Sequence, residues 1–159
     1  MTKEQLGKLI LASEEGMYRI AKTLLYNDAD CADAIQESIV KAFSNLHTLK
    51  DDRYAKTWMV RILMNECYAI MRKEKRWVSL DSISEKAVWE SEDYSDLYRA
   101  VSNLPEDMRI AIVLYYAEGF SIKEIARIED TTESAIKNRL FKARNKLREQ
   151  LVSREVVNL

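Results

Sequence analysis

The sequence predicts an all-α protein built from two small helical bundles joined by a flexible linker, with the second bundle ending in a helix-turn-helix. Apolar residues recur at spacings of three and four along most of the chain, which is the period of one helix face. Only three glycines and one proline occur among 159 residues, so few positions suit the tight turns of hairpins. A hydrophobic content of 47% is enough to bury a core in one or two domains.

The first block, residues 1–77, carries four successive apolar faces and is therefore predicted to form a bundle of four helical segments. The faces are Leu6, Leu9 and Ile10; Met17, Ile20, Ala21 and Leu24; Ile35, Ile39, Phe43 and Leu46; and Met59, Ile62, Leu63, Tyr68 and Ile70. Residues 78–96 then combine serine with acidic residues and show no sustained apolar period. Such a composition is typical of a flexible linker, here with short helical turns at most.

The second block, residues 97–152, opens with signals for one well-delimited helix. Pro105 suits a first helical turn, and Gly119 suits the left-handed residue that ends a helix after Glu118. The apolar side chains between them are expected to pack beneath the helix-turn-helix; they are Met108, Ala111, Ile112, Leu114 and Tyr115.

Two further helices separated by a short turn are predicted between Ser121 and Glu149. Ser121 and Glu124 have the spacing of a capping box, in which each side chain bonds the other residue's backbone N–H. The first helix buries Ile122, Ile125, Ala126 and Ile128. Thr132 is the predicted cap of the second helix, whose buried stripe is Ile136, Leu140, Ala143 and Leu147.

The exposed face of that second helix is strongly basic. Six Lys or Arg and no acid lie between residues 137 and 148, in a chain whose formal net charge is only -1. Local excess of this kind indicates contacts with nucleic-acid phosphates. A solvated surface or a partner-binding helix is the alternative, although a capped helix behind it favours a helix that enters the major groove of DNA.

Nothing in the chain indicates catalysis, a cofactor or a metal. Cys31 and Cys67 lack metal-ligand spacing and are expected to be buried or free thiols of a reducing compartment. The single His47 has no nucleophile pattern near it, and there is no phosphate-binding loop. Without such patterns, we expect a protein that is not an enzyme and has no small-molecule substrate. No apolar run approaches twenty residues, so we also expect the protein to be soluble and cytoplasmic.

Three motifs in order resemble the bacterial extracytoplasmic-function (ECF) sigma factors of the sigma-70 family. Region 2.2 of that family is similar to DADCADAIQESIVKAFSNL, and regions 2.3 to 2.4 are similar to RYAKTWMVRILMNECYAIMRKEKR. Region 4 is similar to LPEDMRIAIVLYYAEGFSIKEIA and the helix that follows. In the turn, Asp130 and Thr131 replace the usual glycine and aliphatic residue, a departure that Asp tolerates because it adopts the left-handed conformation more readily than most residues.

The resemblance implies a sigma factor that binds core RNA polymerase, recognises the -35 and -10 promoter elements and promotes promoter melting. The implied partners are the β′ clamp helices and the β subunit of the polymerase, promoter DNA, and an anti-sigma factor that is often membrane-anchored. An autonomous helix-turn-helix transcription regulator is the main alternative, and a helical adaptor without a DNA role is the third.

The resemblance also implies roles for individual residues. Polymerase binding falls to Asp33, Gln36 and Glu37, which share one helix face, although an acidic face made for solubility has the same pattern. The candidates for -10 DNA are Trp58, Arg61, Asn65, Arg72 and Lys73, with Trp58 equally interpretable as a core anchor. The candidates for -35 DNA are Ser134, Lys137, Asn138, Arg139, Lys142 and Arg144, of which the first four stand where a recognition helix meets base edges.

Overall fold

The computed structural model describes residues 1–78 and 95–157, and the described chain is helical without β-strands. The helices are α1 (Lys3–Ala12), α2 (Glu14–Leu25), α3 (Asp28–Ser44), α4 (Ala55–Val78), α5 (Ser95–Ser102), α6 (Glu106–Ile112), α7 (Ile122–Ile128) and α8 (Glu133–Val157). Short 3-10 turns at Leu46–Thr48 and Asp52–Tyr54 connect α3 to α4. The all-α prediction is confirmed. No described helix has the length and apolar character needed to cross a membrane.

The chain divides into two compact units, the first formed by α1–α4 and the second by α5, α6, α8 and most of α7. Of the predicted linker, residues 79–94 lie outside the described residues. Helix α4 extends to Val78 and α5 begins at Ser95, so the first residue and the last two residues of the predicted linker are helical. Helix ends are the least reliable part of any assignment from periodicity, since one or two residues at each end depend on local caps.

Local caps define the helices of the first unit. Thr2 and Gln5 form a reciprocal capping box at the start of α1. Asn27 caps α3 by accepting hydrogen bonds from the backbone N–H groups of Ala29 and Asp30. Helix α2 ends where Tyr26 adopts a left-handed backbone with φ of 62°, which turns the chain sharply into α3.

The buried side of α3 is not the one that apolar periodicity predicted. Small residues form its fully buried stripe, namely Cys31, Ala34, Ser38 and Ala42. Ile35, Ile39 and Phe43 of α3 are only half-buried, as is Leu46 in the turn that follows the helix. Small side chains let α3 lie close against α2 and α4, so the larger residues beside them cover the flanks of the contact instead of filling it.

The two cysteines are both buried and both free thiols, as the sequence predicted. Burial raises the pKa of the Cys31 thiol to about 11 and that of Cys67 to about 12. Since the thiolate is the reactive form of cysteine, both side chains behave as small apolar groups of the core at neutral pH.

In the second unit, α6 follows Pro105 and leads into a π-helical turn, Val113–Ala117, before Gly119 ends it with φ of 73°. The N–H of Phe120 donates to the carbonyl of Leu114 at 3.0 Å, which closes the helix end as left-handed terminal residues commonly do. The predicted stop at Gly119 is confirmed. Arg109 was not predicted to be in the core, yet it is buried and donates to the carbonyl of Leu104 at 3.2 Å.

The helix-turn-helix forms with the predicted caps. The N–H of Ser121 donates to the Glu124 carboxylate and the N–H of Glu124 to the Ser121 hydroxyl, each at 3.1 Å. The Thr132 hydroxyl accepts from the N–H of Ala135 at 3.1 Å. Asp130 adopts the left-handed backbone, with φ of 53°. The predicted stripe of α8 is buried at Ile136, Leu140 and Ala143, whereas Leu147 is half-buried.

Candidate nucleic-acid and protein-binding surfaces

Four of the six residues predicted to contact duplex DNA lie on the outer face of α8. Ser134, Lys137, Asn138 and Lys142 are all exposed on this face. The structure adds Phe141, whose side chain is 61% exposed and lies one turn after Lys137 and Asn138. Sequence reasoning missed Phe141 because an aromatic residue suggests a core position, yet its spacing from the stripe Ile136, Leu140 and Ala143 places it on the opposite side.

Arg139 lies at the margin of that face rather than at its centre. Its side chain is 26% exposed, and its Nε lies 3.9 Å from the Asp107 carboxylate at the start of α6. A guanidinium with a carboxylate partner must give up that contact to reach a base or a phosphate. Arg139 is therefore a weaker candidate for base recognition than Asn138.

Arg144 is turned toward α6 and the π-helical turn. Its Nε donates to the Tyr116 hydroxyl at 2.8 Å, and its guanidinium lies 5.8 Å and 5.6 Å from the ring centroids of Tyr115 and Tyr116. The two tyrosine rings meet edge to face, with centroids 4.9 Å apart. A DNA contact by Arg144 remains a prediction, and it would compete with these cation–π and hydrogen-bond contacts.

An apolar groove of about 560 Å³ opens beside Arg144 in the same unit, and the sequence did not predict it. Two arginines of α8 lie among its otherwise mainly apolar walls. The lining residues are Leu97, Val101, Ile112, Tyr116, Arg144, Leu147, Arg148, Leu151 and Val152. Leu97, Tyr116 and Val152 are each more than half exposed, and an exposed apolar patch of this kind marks an interaction site.

In the first unit, α4 carries the residues predicted to contact -10 DNA, but not all on one face. Trp58, Arg61, Asn65 and Arg72 follow one another at spacings of three, four and seven, so they share a face of the helix. Arg61, Asn65 and Arg72 are exposed, while Trp58 is half-buried and so combines both interpretations of that residue. Lys73 is exposed on the side of α4 that faces α3.

The face of α3 predicted to bind polymerase is exposed at all three positions, Asp33, Gln36 and Glu37. These residues form one wall of a groove of about 870 Å³ between α3 and α4. Lys41 of α3 pairs with Glu66 of α4 within the same groove. Near the start of α3, a hydrogen bond to the Asp30 carboxyl raises the pKa of the Glu74 carboxyl. The two carboxyl groups therefore lie close together at this end of the groove.

Comparison with known proteins relates both units to one family. Residues 9–77 match the model for Sigma-70 region 2, and residues 94–147 match the model for Sigma-70, region 4. RNA polymerase sigma factor SigV of Bacillus subtilis is 29% identical, over 98% of this chain and 99% of its own. The ECF RNA polymerase sigma-E factor of Salmonella typhimurium is 30% identical, over 72% of this chain and 70% of its own.

Two solved structures share the fold. The sigma factor RpoE of Bartonella quintana, determined in complex with the anti-sigma factor NepR, superposes with a TM-score of 0.82 at 30% identity and covers 93% of this chain and 97% of its own. CnrH, determined in complex with the cytosolic domain of CnrY, superposes with a TM-score of 0.70 at 22% identity and covers 96% of this chain and 90% of its own.

Proposed function

Because this chain belongs to the ECF sigma factors of the sigma-70 family, we propose that separate surfaces of its two units divide the work of transcription initiation. The protein is an RNA polymerase sigma factor, which binds core RNA polymerase and recognises promoter DNA. The observation that carries the assignment of surfaces is the capped helix-turn-helix of the second unit, whose outer face combines lysines with polar and aromatic side chains.

We assign the main binding site for core polymerase to the exposed face of α3. Asp33, Gln36 and Glu37 present two carboxylates and an amide in one direction, which suits charge-assisted bonds from Arg or Lys of the β′ clamp helices. The apolar groove of the second unit suits a further contact, with the β subunit. Its exposed apolar side chains would be covered by such a partner, and Arg144 and Arg148 would favour an acidic residue beside them.

The -10 element is assigned to the face of α4 that carries Trp58, Arg61, Asn65 and Arg72. Melting requires that an unstacked base find polar edges and a flat surface on the protein. The Asn65 amide can form hydrogen bonds with base edges. Trp58 keeps part of its flat ring surface accessible for an unstacked base. The two arginines suit the phosphates of the same strand.

The -35 element is assigned to the outer face of α8, entering the major groove of duplex DNA. Asn138 suits a base edge, and Phe141 suits the methyl group of a thymine. Lys137 and Lys142 suit the phosphates on either side, because they are exposed and flank that pair. Ser134, at the start of the helix, suits either a base or a phosphate.

An anti-sigma factor is the expected regulatory partner, supported by the complex of the similar RpoE with NepR. Such a partner would cover the polymerase-binding surfaces, and we place the protein in the cytoplasm, where both partners would meet it. No catalytic activity is proposed. An autonomous helix-turn-helix regulator is not favoured, since the family match extends over both units and such a regulator needs only the second.

Run-off transcription with purified core polymerase tests the proposal directly. Promoter fragments from the genome that encodes this protein should yield specific transcripts only when the protein is present. Absence of transcripts and of core binding by folded protein would contradict the proposal and favour the autonomous regulator.

Replacing Asn65 by alanine is expected to slow formation of the open promoter complex roughly tenfold, because one base-edge contact is worth about 1 to 3 kcal/mol. Stopped-flow fluorescence of a labelled -10 region measures that rate. Binding of the same holoenzyme to a duplex -35 fragment should not change. Asn103→Ala, which removes an exposed amide from the second unit, is the matched control. Normal melting by Asn65→Ala would remove this residue from the -10 surface.

A further inference from the structure

We propose that core polymerase docks into the groove between α3 and α4, and not on the α3 face alone, with Val40 and Ile70 as apolar contacts and Lys73 as a third charged contact. This inference rests on the proposed function, because it takes the partner to be a helix of the polymerase. It assigns Lys73 to the polymerase rather than to -10 DNA. The predicted occupant has basic residues along one edge, apolar residues in the middle and an acidic residue on the other edge.

The geometry of the groove requires a partner that contacts both helices. Val40 lies three residues after Glu37 and four after Gln36, so it extends the predicted polymerase face by one helical turn. Across from it, α4 lines the same groove with Ala69, Ile70 and Lys73. A helix seated against the α3 carboxylates would therefore also meet side chains of α4.

Val40 is the strongest single indication of a partner. Its side chain is 58% exposed on a helix whose other large apolar residues are at least half-buried, so the fold of the first unit leaves it uncovered. An apolar side chain beside charged groups is the usual composition of an interface, in which the apolar part contributes affinity and the charged rim sets orientation. Val40 thus adds an apolar contact, which the acidic face of α3 lacks.

The charges of the groove make docking directional. Asp33 and Glu37 line the α3 wall together with Asp30, and Lys73 lies on the α4 wall beside Glu74. Lys41 pairs with Glu66 between the two walls, and the Glu74 carboxyl is hydrogen-bonded to that of Asp30, so Asp33, Glu37 and Lys73 are the charges left to act on an incoming helix. A helix that enters in the reverse orientation would set like charges against each other, and such contacts select against wrong partners.

The position of Lys73 separates it from the -10 residues. Arg61, Asn65 and Arg72 share a face of α4, and Lys73 is turned about a quarter of the way around the helix toward α3. Lys73 lines the groove together with Glu37, so the proposal counts it with the polymerase-binding side of α4. Removing it should affect polymerase binding more than DNA binding.

The test measures affinity of the full-length protein for core RNA polymerase by competition with a labelled sigma factor. Val40→Asp is expected to weaken binding roughly tenfold or more, because it places a charge in the apolar centre of the interface. Val40→Thr, which has nearly the same shape, should weaken it about threefold. Leu11→Asp is the matched control, since Leu11 is 68% exposed on α1 and should leave core affinity unchanged. Circular dichroism confirms that each variant is folded.

Lys73→Ala is expected to weaken core binding about threefold, while preformed holoenzyme keeps its affinity for -10 single strands. Equal core affinities of Val40→Asp, Val40→Thr and Leu11→Asp would overturn the groove, as would a Lys73→Ala defect confined to -10 DNA. A change in self-association with core affinity intact would overturn it in favour of a second copy of this chain. If Asp33→Ala with Glu37→Ala loses core binding while Val40→Asp binds normally, the groove alone is refuted. If all variants bind normally, the assigned polymerase-binding face of α3 is refuted as well.

Discussion

Replacing Asp33 and Glu37 together by alanine is expected to weaken binding to core RNA polymerase roughly 100-fold. A hydrogen bond to a charged group contributes about 1.5 to 3 kcal/mol, so the loss of two such bonds reaches this size even when each is at the lower limit. Fluorescence titration of labelled variant with core polymerase measures the dissociation constant. Most of the loss should lie in a faster dissociation rate, because contacts inside an interface act mainly on dissociation.

Removing two acids elsewhere in the first unit provides the control for this loss. Glu4→Ala with Glu14→Ala changes the net charge by the same amount at two exposed positions outside α3. That variant should bind core polymerase within about twofold of the natural protein, since exposed charges outside an interface contribute little. If both double variants bind equally well, the acidic face of α3 serves solubility and the polymerase must dock elsewhere.

Replacing Lys137 and Lys142 together by alanine is expected to lower the affinity of holoenzyme for a duplex -35 fragment roughly 30-fold at about 0.15 M salt. Each phosphate contact contributes about 0.9 to the slope of log affinity against log salt concentration, so the slope should decrease by about 1.8. The loss should be similar for different -35 sequences, because phosphate contacts carry no sequence information. Titration by fluorescence anisotropy at several salt concentrations measures both quantities.

The matched variant for this experiment is Lys3→Ala with Lys8→Ala, which removes two exposed lysines of α1. It should leave the salt slope unchanged, although the net charge falls by the same amount. An unchanged slope in Lys137→Ala with Lys142→Ala would show that the outer face of α8 does not meet DNA phosphates. A loss confined to one promoter sequence would instead make these lysines readers of bases.

Much of the fold was predictable because its signals are local. The capping box of Ser121 and Glu124, the Thr132 cap and the stop at Gly119 each involve residues only a few positions apart, and each formed as predicted. The turn also tolerates Asp130 in the left-handed conformation, with no glycine at that position. Periodicity likewise predicted the buried stripe of α8 at Ile136, Leu140 and Ala143.

Prediction was weaker where two helix faces compete for the interior. On α3 the large apolar residues and the small ones lie on adjacent sides, and size decided the outcome because close packing of α3 with its neighbours admits only the small side chains. The exposure of Phe141 has a related cause: α8 has one buried side, and Ile136, Leu140 and Ala143 already occupy it.

The sequence by itself determined the helices, their caps, the two-block order and the family, since hydrogen bonds and periodicity within a few turns encode them. Only the tertiary structure decided which partner each charged side chain has. It set Arg139 beside Asp107, turned Arg144 onto Tyr116 and placed Lys73 across from the carboxylates of α3. These pairings join residues tens of positions apart, so they depend on how helices pack and have no signature in the local sequence.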